Sequence, residues 1–155
     1  MKSSVVLLLV CAASMTGSAS SGRPDDLEAN TRGADRVVVA TVSDVQPRFD
    51  VNEYGDRLIV SQVWLEVSET LKGPFSSVAS VDVEGGTIGD LKLDVSDMPV
   101  MKRGQRGVFF LDSKASGGDK PHSRGNGILV LDNSDHVQNS TLSLSEVKAR
   151  VRSAR

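Results

Sequence analysis

Two histidines, one cysteine and two groups of carboxylates are the residues of this 155-residue chain whose types could do chemistry. Zinc binding or acid–base catalysis by an imidazole needs a partner at a matching spacing, as in His-Glu-x-x-His, and neither His122 nor His136 has one. Both stand in polar loop sequence and are expected at the surface. Asp50, Glu53 and Asp56 form one acidic group and Asp90, Asp94 and Asp97 another, but neither follows the Asp-x-Asp-x-Asp-Gly spacing of a calcium loop, so solvated loop charge is expected. A hydrolase built on the loop carboxylates is the alternative they leave open. It requires Asp50, Glu53 and Asp56 to converge with a histidine in one pocket. No serine lies in a Gly-x-Ser-x-Gly elbow or a Ser-x-x-Lys motif. The run Gly85-Gly-Thr-Ile-Gly89 lacks the Lys-Ser/Thr that completes a phosphate loop and leads into a strand, so a bend that only glycine fits is expected there. Asn139-Ser-Thr141 is an N-glycosylation sequon, meaningful only in a eukaryotic secretory route.

The first residues set the compartment. A basic start, Met-Lys-Ser-Ser, runs into an apolar stretch, Val5–Ala13, that is too short to span a bilayer, and Gly17 and Ala19 are the small residues a signal peptidase reads. Residues 1–19 are therefore expected to be a signal peptide, and the mature chain secreted or periplasmic without stable membrane insertion. Cys11, the only cysteine, falls inside that stretch, and Val10 before it is bulkier than a lipid-attachment site takes, so no lipid anchor is expected. The mature chain then has no thiol for a disulfide, a zinc site or a nucleophile. The net charge of −2 supplies no basic field for a polyanion, and nucleic acid is not an expected partner.

The elements that would position any site follow from periodicity. Residues 20–33 read as a tether and short helix, capped by Asp25 or Asp26, with Leu27, Thr31 and Ala34 on one side. Strands are expected near 36–45, 58–71, 78–84, 106–112 and 127–132, and a short edge strand over 87–96, because apolar residues alternate there between glycine and proline breaks. The longest, Arg57–Gly73, puts Ile59, Ser61, Val63, Leu65 and Val67 on one face and Trp64 on the other. Trp64 is too large to leave bare and is expected beneath a C-terminal helix. That helix, near 144–153, has a capping box in Ser143 and Glu146 and a staple from Leu142 to Val147. Residues 46–56 are expected to be a long hairpin loop, and 113–126, with paired glycines and Pro121, the most mobile loop.

Taken in order, Ala34-Asp35-Arg-Val-Val-Val-Ala-Thr-Val42, Val67-Ser-Glu-Thr-Leu-Lys-Gly73, Val83-Glu-Gly-Gly86, Met98-Pro99, Arg103-Gly104 and Val108-Phe-Phe-Leu111 resemble secreted bacterial proteins. Their pattern is similar to the inhibitory domain of tissue inhibitors of metalloproteinases and to netrin-like modules. The resemblance covers roughly Ala34 to Asp132 and implies an all-β fold, a five-stranded OB-like barrel with flanking helices; with the C-terminal helix a single domain is expected over 34–155, preceded by the short N-terminal helix. The resemblance also implies a secreted protein as partner, with a secreted metalloprotease as one candidate. Those inhibitors chelate the protease zinc through an N-terminal cysteine, which this mature chain lacks. The expectation is thus a monomeric, non-enzymatic, cofactor-free binding module. Its contact residues are Phe49, Val51 and Tyr54, apolar side chains in an otherwise polar and acidic loop.

Overall fold

The computed structural model describes residues 26–51 and 54–155; the expected signal peptide, Cys11, Asp25 and Glu53 lie outside the described residues. A short helix, α1 (Leu27–Gly33), leads into two sixteen-residue strands, β1 (Arg36–Val51) and β2 (Arg57–Lys72), paired antiparallel along their length. β2 alternates as its sequence does, with Ile59, Ser61, Val63 and Leu65 buried and Trp64 and Glu66 exposed. β1 is apolar on both faces because both are covered: Val38, Ala40 and Val42 belong to one buried cluster, Val37 and Val39 to another. Register shifts at Val37/Val38, Val39/Ala40 and Val42/Asp44 bend this ribbon, as an extra residue in one strand raises its twist.

β3 (Val78–Glu84) pairs with β2. A separate hairpin of β4 (Gly86–Ile88) and β5 (Leu91–Leu93) follows, where the sequence suggested one edge strand over 87–96; Gly89, at φ 57°, makes its turn. β6 (Arg106–Ser113) pairs with the other edge of β1, and β7 (Asp119–Pro121) closes the ring, antiparallel to β6 and parallel to β3 through one registered pair, Val81 with Asp119. The order β1-β2-β3-β7-β6, returning to β1, is a five-stranded OB-like barrel. β8 (Ile128–Val130) lies on the same edge of β6 as β7, so the fifth strand is one path interrupted by an excursion through a 3-10 turn at Arg124–Gly127. The segment 113–126 is therefore not an open loop. It contains a barrel strand, and Asp119, Pro121 and Gly125 within it are buried.

Two cores result. The barrel interior is filled by residues such as Val63, Leu65, Val81, Phe109 and Leu111, with Met98 and Met101 at one end. At the other end Arg36 bonds Asp119 at 3.0 Å, both side chains nearly buried, and Ser113 Oγ donates to the same carboxylate. The outer core lies between the barrel and two helices: Val37, Val39, Leu71 and Phe110 meet Leu27 of α1 and Val147 and Val151 of α2 (Leu144–Ser153). Each such fully buried side chain contributes about 1.5–3 kcal/mol relative to exposure. Trp64 is not part of this layer. It remains 36% exposed on the outer face of β2, so the expected seat beneath α2 is taken by Leu71.

The helix ends differ. α2 has its capping box, Ser143 Oγ accepting from Glu146 N and Glu146 accepting from Ser143 N, and Leu142 and Val147 share the outer core. Lys148 and Arg152 of α2 both pair with Glu69 of β2. Asp26 precedes α1 but makes no side-chain cap. Instead α1 is held at its C-terminus, where Lys72 Nζ donates to the carbonyls of Thr31, Arg32 and Ala34 at 2.8, 3.0 and 2.6 Å. A cation there satisfies orphan carbonyls and complements the helix dipole. Gly73 follows at φ 85°, and a Cβ on it would lie 2.7 Å from Asp35 O, so glycine is required where the end of β2 passes Asp35. No helix among the described residues is long and apolar enough to cross a membrane.

Candidate functional site

The β1–β2 ribbon continues past the point where β6 leaves β1, at Thr41, and its tip carries all three of the side chains singled out in the sequence. Residues 46–51 are strand, not loop: Phe49 pairs with Ile59, Asp50 with Leu58 and Val51 with Arg57. Pro47 is tolerated because β1 has a partner on only one edge here, so its missing N–H interrupts no second ladder. Phe49 is 42% exposed, with the Arg57 guanidinium 4.5 Å from its ring centroid. Val51 is 61% exposed and Tyr54 82%.

Val51 and Tyr54 also form one side of a groove of about 580 Å3, floored by Leu58 and Val60 of β2. Its opposite side is charged, from Lys114, Lys120 and Arg124 on the far side of the β3–β7 junction. Ion pairs cross the groove. Asp82 of β3 accepts from Arg48 at 2.8 Å and also from Lys114, while Arg48 reaches Asp50 at 3.0 Å. Burial acts to raise the pKa of Asp82, but the Arg48 and Lys114 bonds outweigh it and hold the carboxyl below the usual carboxylate range. Arg124 joins Glu84 of β3 to Asp97 at 2.8 and 2.5 Å, and its bonds keep Asp97 below the ordinary value too. These charges were not legible as a site, because Asp82, Lys114 and Arg124 are far apart in the chain and share no motif.

Of the loop carboxylates, Asp50 lines the groove and is bonded to Arg48, and Asp56 does not line it. Neither histidine lines it. His122 is only partly exposed: Nδ1 lies 2.9 and 3.0 Å from the two oxygens of Asp112, and Nε2 faces α1 so closely that a Cβ on Gly33 would lie 2.4 Å from it. The ring is a strut between β6 and α1, and the glycine that closes α1 is there to admit it. His136 Nδ1 contacts Ser134 O at 3.0 Å, in a turn where Asp132 accepts from the Ser134 and His136 N–H groups. Among the described residues no group of three His, Cys, Asp or Glu could hold a metal ion.

Gly85 and Gly86 make the expected bend, at φ 107° and 141°, and a Cβ on Gly86 would lie 2.6 Å from Ser61 Oγ. Gly104, at φ 83°, turns the chain after Arg103. No protein-family model matches the chain, and no curated protein matches it.

Proposed function

We propose that the protein is an exported, monomeric, non-enzymatic module that binds another secreted protein through the tip of the β1–β2 ribbon, with Phe49, Val51 and Tyr54 as anchors. The observation that carries this reading is the exposure of all three side chains where the ribbon extends beyond the barrel, with no core of the domain's own to cover. Apolar and aromatic side chains grouped at a protruding edge, next to a groove with a charged rim, are the composition of a binding hot spot. Export rests on the sequence of residues 1–19. The resemblance to metalloproteinase inhibitors makes a secreted metalloprotease the first partner to try.

The test is a pull-down from the producing cell's secreted fraction with the wild type, a Phe49→Ala/Tyr54→Ala variant and, as control, Phe75→Ala, which removes an exposed aromatic elsewhere. Melting temperatures are compared first. Truncating an aromatic anchor costs about 2 kcal/mol of binding, roughly thirtyfold in affinity, so the double variant is expected to lose its partner while keeping its stability. Loss of stability with every partner retained would make the tip structural and overturn the assignment.

A further inference from the structure

Two cavities flank the ribbon and meet at Glu84 and Met98, which line both, whereas Met101 lines only the second. Val60 and Leu58 face the charged groove, whereas Val45, Pro47 and Ser61, on the other face in the β1–β2 register, line a second space of about 700 Å3 at the Met98–Met101 end of the barrel. Its floor is the barrel core itself, since Val83, Met98 and Met101 are buried members of the interior cluster and Val45 and Val95 pack on it. One wall is the β4–β5 hairpin, a two-stranded sheet of its own that hangs from β2 where Gly85 N donates to Ile59 O.

The charged groups around this space are already paired, and Ser61 is bonded as well. Lys92 pairs with Asp94 at 2.8 Å on the exposed rim, Glu84 with Arg124 at 2.8 Å, and Ser61 Oγ donates to Gly85 O at 2.7 Å. The surface offered to a ligand is mainly valine, leucine, proline and methionine. Its volume is that of an ordinary small-molecule site, and two thioethers in the floor adapt to a chain of variable shape. A charged or polyhydroxylated ligand would lose its hydration there without gaining matching partners. An alkyl chain needs none and gains with each methylene buried.

We propose that this cavity takes the alkyl chain of an uncharged single-chain amphiphile, its head group left in water at the exposed Lys92–Asp94 rim. The probe is N-phenyl-1-naphthylamine fluorescence in the presence of the full chain, displaced by octanol, decanol and dodecanol. Displacement is expected to saturate, with affinity rising about fourfold per added methylene until the chain outgrows the cavity. In protein labelled at methionine methyls, decanol is expected to shift the Met98 and Met101 signals. Val100→Asp, at an exposed lining position, should weaken decanol binding tenfold or more. Val78→Asp, equally exposed but at the start of β3, should not. Displacement that does not saturate, affinity independent of chain length, or unmoved Met98 and Met101 signals would each overturn the proposal. Wild-type affinity in a folded Val100→Asp would do the same. Should that variant fail to fold, the chain-length series and the methionine signals decide.

Discussion

Replacing Gly33 with alanine puts helix propensity and packing in opposition, and the structure says which wins. Gly33 is the last residue of α1, in helical backbone, so alanine there would by itself favour the helix by up to about 1 kcal/mol. The new Cβ, however, would lie 2.4 Å from His122 Nε2 and 2.6 Å from its Cε1. Ordinary carbon contacts lie near 3.5 Å, so the ring would have to retreat by roughly 1 Å. It is not at liberty to do so. Nδ1 is bound to Asp112 at 2.9 and 3.0 Å, and His122 N donates to Phe110 O at 2.8 Å. Overpacking of this kind costs about 1–3 kcal/mol, so Gly33→Ala should destabilise by about 1 kcal/mol or more in the wild type. In a His122→Ala background the obstacle is gone, and the same substitution should become neutral or stabilising. The coupling between the sites is then about 2 kcal/mol, readable from urea denaturation of the four proteins by far-ultraviolet circular dichroism and Trp64 fluorescence. Additivity within about 0.5 kcal/mol would refute the strut.

Lys72→Met keeps the aliphatic stem but strips three carbonyls of their donor, and should cost about 2 kcal/mol by denaturant midpoint, with Lys72→Arg losing less. Asp82 is held below the usual carboxylate range in the folded protein, so its bonds to Arg48 and Lys114 stabilise above the unfolded pKa, and that contribution is lost as pH falls through the folded one. Asp82→Asn should accordingly be less stable than wild type at pH 7, and the gap should close below about pH 4, which a series of melting curves would show. Ser143→Ala removes the α2 cap and should lower stability by about 1 kcal/mol, with Lys148 and Arg152 still pairing with Glu69.

What the sequence could reveal is what short-range patterns encode. The first half of β1, nearly all of β2, β3 and β6 follow from alternation, and α2 from its capping box, because each signal lies within one element. Three features did not follow. β1 runs on through Pro47 and Asp50, residues that argue for a loop unless one knows that the ribbon's outer edge is unpaired there. β7 is only Asp-Lys-Pro, and it is placed by its ladder with β6 and by an ion pair between Arg36 and Asp119, eighty-three residues apart. Trp64 has no local signal for which outer residue the helix will cover; the register shift between Val39 and Ala40, opposite Ser68, flips the alternation of β2, so Glu69 and Leu71 face the helix layer. The candidate contacts Phe49, Val51 and Tyr54 stood out by composition alone, whereas the groove and the methionine-floored cavity exist only once β3, β7 and the 94–101 segment are assembled.

The junction between β3 and β7 sets how the barrel breathes. Elsewhere neighbouring strands are joined by ladders, whose opening exposes many amides and depends little on dissolved salt. Here one registered pair is reinforced by carboxylate–cation contacts from β3 to the segments flanking β7, Asp82 with Lys114 and Glu84 with Arg124. Added ions weaken the exposed members of that set and leave the ladders untouched. The barrel therefore has one seam whose opening rate follows ionic strength, and amide exchange along β3 and β7 should accelerate with salt while exchange along β1 and β6 stays level.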